Sequence, residues 1–179
     1  MTRYALLLRG VNVGKGNVLP MAALRAMLEE LGCAGVKTYV QSGNAVLATA
    51  RGAAELTKAI EAALERYMGR PIDTTLRTQA ELAAIVAANP FAEVATDPAR
   101  LCVTFLSRPP TEAELAPLRA GHFEPELFRV KGREIYTWYP DGQGGSKLAA
   151  ALGKLKVRGA VTTRNWNTVT KLLELVGER

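Results

Sequence analysis

Apolar and polar positions along the chain alternate with spacings that predict a series of short elements. Residues 3–9 (RYALLLR) read as a strand with Tyr4, Leu6 and Leu8 on one face and Ala5 and Leu7 on the other. A strand apolar on both faces is expected to be covered on both. Residues 10–19 are a loop rich in Gly and Asn, after which Pro20 opens a helix with apolar positions Met21, Leu24, Leu28 and Leu31 and Gly32 beyond its end. Strands over 36–40 and 45–48 flank a tight turn at 41–44, whose Ser42, Gly43 and Asn44 are a hairpin signal. Leu56, Ile60, Leu64 and Tyr67 mark a second helix, and 72–77 a further strand. Strand, helix, strand, strand, helix, strand is the split βαβ order of a ferredoxin-like unit.

The order then repeats. Thr78 and Glu81 form a capping box that opens a connecting helix with Leu82, Ile85 and Val86 inward. Residues 90–100 read as a linker, with Pro90 ending the helix before it. A strand over 101–106 follows. Thr111 and Glu114 then form a second capping box, and a hairpin of 126–130 and 134–139 turns at Lys131 and Gly132. A helix over 146–155, a short strand over 160–163 and a terminal helix over 168–176 complete the pattern, with Val169, Leu172, Leu173 and Val176 on one side of that helix. The fold class is therefore α+β: tandem ferredoxin-like α/β plaits (βαββαβ) with largely antiparallel sheets and an extra helix after each unit. Along the chain this gives a first unit with its connecting helix over 1–89, a linker over 90–100 and a second unit over 101–179.

Composition excludes several classes. An apolar fraction of 48% with 22% charged residues is that of a globular chain. The longest uncharged apolar run, 82–88, is far too short to span a bilayer, and residues 1–9 lack the features of a signal peptide. Cys33 and Cys102 each sit among apolar neighbours and read as buried free thiols of a cytoplasmic protein. One histidine, His122, and two separated cysteines do not make a zinc site or a Cys–His or Ser–His dyad, so no metal and no cofactor are expected.

The net charge of +6 is unevenly placed. Residues 1–128 balance at zero, 129–171 carry nine basic and two acidic side chains, and 172–179 are net −1. A local excess of +7 is either an anion or nucleic-acid footprint or a solvated face.

Three polar stretches carry candidate chemistry. RGVNVGKGN (residues 9–17) offers Arg9, Asn12 and Lys15 in a glycine-rich loop. Backbone amides in such a loop can approach a phosphate closely. It is one residue short of a P-loop, with Gly16 where Ser or Thr would hold magnesium, and a sharp turn explains the glycines as well. In TYVQSGN (residues 38–44), Gln41, Ser42 and Asn44 either read a ligand's polar edge or satisfy their own turn. In TTRNWNT (residues 162–168), Arg164, Asn165 and Asn167 stand at the expected mouth of the last helix, where an anion is favoured. Trp166 there, like Trp138 on the hairpin, either stacks on a base or anchors to the core. Lys147 sits in the first turn of a helix capped by Ser146. A cation there is unfavourable for the helix, which makes it a functional candidate.

Taken together, YALLLRGVNVGKGN, TYVQSGN, NPF, TFLS and TTRNWNTVTKLLEL resemble the DUF1697 family, the SP0830-like bacterial proteins, from Tyr4 to Leu175. The resemblance implies tandem α/β plaits and brings no catalytic residues with it. Many members carry Gly-Gly-Lys in the first loop, where this chain has Gly14-Lys15-Gly16. Three readings follow from the residues: a protein that binds nucleic acid or a nucleotide, an enzyme acting on an anionic, phosphorylated small molecule, and an assembly module that forms a homodimer. No membrane partner is expected.

Overall fold

A computed structural model describes residues 1–14, 16 and 18–178. The elements run β1 (Thr2–Leu8), α1 (Met21–Glu30), β2 (Ala34–Tyr39), β3 (Asn44–Thr49), α2 (Ala53–Met68), β4 (Thr74–Thr78) and α3 (Gln79–Ala87). They continue as β5 (Leu101–Leu106), α4 (Glu112–Arg119), β6 (Leu127–Lys131), β7 (Glu134–Trp138), α5 (Lys147–Gly153), β8 (Val161–Asn165) and α6 (Trp166–Gly177).

The strands form two four-stranded sheets, ordered β2-β3-β1-β4 and β6-β7-β5-β8. Every pairing is antiparallel. In each, a helical crossover skips one strand position and the third strand fills it, so the first and third strands become the central pair. The tandem ferredoxin-like reading therefore holds.

The chain divides into two compact units, one of Met1–Ala84 with Thr170–Arg179, the other of Ile85–Val169. The division falls inside α3 and inside α6. Residues 90–100 contain no helix or strand.

In the first unit β1 lies at the centre, and Tyr4 through Leu8 are all buried, as its two-sided apolarity requires. Tyr4, Leu6 and Leu8 pack with Leu24 and Leu28 of α1 and with Leu56, Ile60 and Leu64 of α2. Burial of each such leucine contributes about 1.5–3 kcal/mol. Helix α2 ends on Gly69 at φ 69°, a left-handed cap that a side chain would strain.

In the second unit Cys102 and Leu106 of β5 and Ile135 of β7 pack with Leu115 and Leu118 of α4 and Leu148 of α5. The other face of this sheet, with Val103, Phe105, Tyr136 and Trp138, is also buried. Tyr136 Oη donates 2.8 Å to the Ile85 carbonyl of α3. Both predicted capping boxes form. Glu81 Oε2 accepts from Thr78 N at 2.7 Å, and Glu114 Oε2 from Thr111 N at 2.8 Å.

One boundary differs in a way that matters for the site. The last strand extends to Asn165 and the last helix begins at once with Trp166. No loop intervenes, because the Asn165 side chain accepts from Thr168 N at 3.0 Å and caps the helix from the strand's end.

Candidate functional site

The first unit gathers two of the three polar stretches. The loop after β1 and the turn before β3 are tied by Asn12. Its Nδ2 donates to the carbonyls of Leu19, at 2.9 Å, and Gln41, at 2.5 Å. Its Oδ1 accepts from Leu19 N at 2.7 Å. Asn12 sits at φ 56°, a left-handed conformation that Asn tolerates better than most residues. Within the turn, Asn44 is fully buried and its Nδ2 donates to Tyr39 O at 3.2 Å and to Ser42 Oγ at 2.9 Å. Val40 is also left-handed, at φ 50°, which is uncommon for a β-branched residue. Gly43 has no room for a side chain: a Cβ there would meet Val11 Cγ2 at 2.5 Å. Asn12, Gln41 and Asn44 are thus brought together, chiefly to fix two loops against each other. Gln41 and Arg9 are exposed, while Lys15 lies outside the described residues.

Beside this loop pair Arg9 continues β1. Its backbone N donates to Asp73 O at 3.1 Å and its guanidinium stands 3.4 Å from the Asp73 carboxylate. Arg70, just past the α2 cap, donates to the Gly10 carbonyl at 3.2 Å. Arg9, Gly10, Arg70, Pro71, Ile72 and Asp73 line an open cavity of about 390 Å³. Sequence reasoning does not single out Arg70 or Asp73. The only signal is a Gly-Arg-Pro stretch closing α2, with nothing to show that it faces a loop some sixty residues earlier.

The second unit holds the third stretch and Lys147. The expectation for Arg164 needs correcting: it lies in β8, not at an open helix mouth. Its guanidinium donates to Thr162 Oγ1 and to Thr163 O, both at 2.8 Å. Burial pushes its pKa down to about 10, which leaves it charged at neutral pH. Asn165 is the helix cap described above, and Asn167 is exposed in the first turn of α6. Trp166 is half-buried and its backbone N donates to Pro98 O at 3.2 Å. Trp138 is only 6% exposed, which leaves no open ring face for a base.

Lys147 is exposed at the start of α5, where Ser146 Oγ accepts from Ala149 N at 2.8 Å and Glu126 Oε2 accepts from Leu148 N at 3.0 Å. The Glu126 carboxylate therefore already occupies the position at this helix start that a bound anion would take. Beyond α5, Lys154, Lys156 and Arg158 are exposed. None of the three has an ion-pair partner among the described residues. Nearby, Arg158 N donates 3.0 Å to Glu114 Oε1, and the Arg108 guanidinium pairs with the same carboxylate at 2.5 Å. These bonds and the Thr111 N–H hold the Glu114 carboxyl down at about 2.

Among the described residues no three His, Cys, Asp or Glu side chains gather as metal ligands, and no helix is long and apolar enough to cross a membrane. Cys33 and Cys102 are free and buried.

No curated protein matches the chain. Among solved structures it is similar to the conserved bacterial protein SP0830 from Streptococcus pneumoniae. The two share 26% identity and a TM-score of 0.82 over 98% of each chain. A family model described as a protein of unknown function, DUF1697, matches residues 1–136. That match covers both loops of the first unit, the linker, and the second unit as far as Tyr136 on β7, and with it the chain belongs to the DUF1697 family.

Proposed function

We propose that the protein binds single-stranded nucleic acid electrostatically, along the connection from α5 to β8. The observation that carries this reading is the run Lys154, Lys156, Arg158: three exposed cations within five residues, without ion-pair partners among the described residues. Lys147 at the start of the same helix and Arg129 on β6 are also exposed. Cations left unneutralised attract a phosphate backbone and release its counterions on binding. Stacking on Trp138 is not part of the proposal, since its ring is buried.

The test is fluorescence anisotropy with labelled single-stranded RNA and DNA at about 50 and about 200 mM salt. Binding should weaken steeply with salt, and Lys154→Glu/Lys156→Glu/Arg158→Glu should abolish most of it. Three lost phosphate contacts would flatten the logarithmic salt slope by about 2 for a single strand. Absence of salt-dependent binding at micromolar protein, or an unchanged slope in the triple variant, overturns the proposal.

A second reading, an enzyme acting on a phosphorylated small molecule, is favoured by the cavity at Arg9 and Arg70. The residues lining it include a carboxylate, Asp73, but no Ser, Thr, Cys, His or Lys. Turnover would therefore need groups beyond that lining, and binding is the part of this reading that the cavity supports.

A further inference from the structure

We infer that the first unit carries a separate site for a small phosphate monoester, in the cavity between Arg9 and Arg70. This site is independent of the polyanion surface proposed above and lies on different residues.

Three observations support it. First, two guanidiniums from segments about sixty residues apart line one cavity, whose volume of about 390 Å³ falls within the range of ordinary ligand sites. Second, both cations retain capacity. Arg70 has the Gly10 carbonyl as its one hydrogen-bond partner among the described residues, which satisfies one of its five N–H groups and none of its charge. Arg9 is paired with Asp73, but at 3.4 Å between exposed groups, a distance too long for a strong charge-assisted bond. Third, the backbone is fixed. Arg9 N is bonded to Asp73 O, Gly10 O receives Arg70, and Asn12 two residues on is bonded to the Leu19 and Gln41 carbonyls. Pro71, exposed beside Arg70, supplies apolar surface for the organic part of a ligand.

The charge arithmetic selects the ligand class. Two arginines and one aspartate leave a net +1 around the cavity, so an anion is attracted and a cation is not. Planar guanidinium forks match phosphate oxygens, and the terminal oxygens of a monoester are accessible from two sides, as two arginines from different segments require. Asp73 opposes the ligand while it orients Arg9. Its removal should therefore help binding rather than harm it, an outcome a purely structural Arg9–Asp73 pair does not give.

The experiment titrates the whole chain with inorganic phosphate and with adenosine monophosphate by isothermal calorimetry, alongside thermal unfolding as a check on folding. Saturable binding of both is expected. Arg70→Ala should lose about tenfold or more in affinity, Arg70→Lys should lose part of it, and Asp73→Asn should gain several-fold. The Lys154→Glu/Lys156→Glu/Arg158→Glu variant should bind both ligands as the parent does, which separates this site from the nucleic-acid reading. No binding at about 10 mM phosphate, a weak affinity by any standard of a built site, overturns the inference. So does an affinity unchanged by both Arg70→Lys and Asp73→Asn. Should Arg70→Ala fail to fold, those two milder variants still decide it.

Discussion

The side-chain amide of Asn12 donates 2.5 Å to the backbone carbonyl of Gln41, joining two loops that lie 29 residues apart in sequence. The same side chain accepts from one backbone group and donates to another at Leu19, so a single residue closes its own loop and docks it on the neighbouring turn.

Replacing it separates conformation from bonding. Asn12→Ala should cost about 2 kcal/mol by urea unfolding, since a part-buried N–H and two carbonyls lose their partner. Asn12→Gly keeps the left-handed backbone at φ 56° and should cost less than Ala. Asn12→Asp should be the worst of the three at neutral pH, because a carboxylate would face two carbonyl oxygens. Equal unfolding midpoints for the Ala and Asp variants would remove this account.

Two glycines with nearly the same dihedral angle should respond very differently to alanine. Gly32 has φ 79° and open space where a Cβ would stand, so Gly32→Ala should cost about 1 kcal/mol from the backbone alone. Gly43 has φ 76°, and a Cβ there would stand 2.5 Å from Val11 Cγ2 and 2.8 Å from Leu8 Cβ. Gly43→Ala should therefore cost about 3 kcal/mol or more, with strain and overpacking combined. Comparison of urea midpoints for the two variants checks the ranking.

Glu114 should make part of the acid sensitivity of the second unit. Its carboxyl is held at about 2, first by the Arg108 guanidinium and then by the Thr111 and Arg158 N–H groups. An unfolded glutamate titrates near 4.3. The stabilisation is therefore fully present above that value and is lost as pH falls towards 2. Glu114→Gln lacks this contribution at every pH. The stability gap between parent and variant should be constant from neutral pH to about 5 and close below about 4. A gap that stays constant to about pH 2 would contradict it.

Neither cysteine should react with a thiol reagent in the native protein. Cys102 is 1% exposed and burial pushes its thiol up to about 11, so at pH 8 its thiolate is roughly one part in a thousand. Burial also raises the Cys33 thiol, against the opposing effect of Arg51. Ellman's reagent should report no thiols in buffer and two in denaturant.

Much of the architecture is written in local pattern. A run of β-formers locates β5, the Lys131-Gly132 turn marks the hairpin, and Ser/Thr-x-x-Glu spacing marks α3 and α4, because these signals act within a few residues. What the pattern leaves unread acts across distance. Arg70 becomes part of a site only when α2 ends beside Gly10. Trp138 lies on a strand whose pattern does not say whether a face is open, and here β5 and β7 carry buried side chains on both faces. Arg77 ends a run that reads simply as strand, yet it is 1% exposed and among the largest fully buried side chains. The boundary at Asn165 is displaced because one side chain caps a helix from the end of a strand, which removes the loop that polar residues ordinarily announce.

The membership of residues 170–178 in the first unit bears on how the protein is made. Arg3 Nη2 reaches the Leu175 carbonyl at 3.5 Å, and Lys37 pairs with Glu178 at 2.6 Å. On the ribosome, residues 1–84 emerge first, yet these contacts wait until all of 85–169 has been translated. A domain usually folds as it leaves the exit tunnel. Here the half synthesised first is the half completed last, so the nascent first sheet must stand without these C-terminal contacts for the whole time the second is being built.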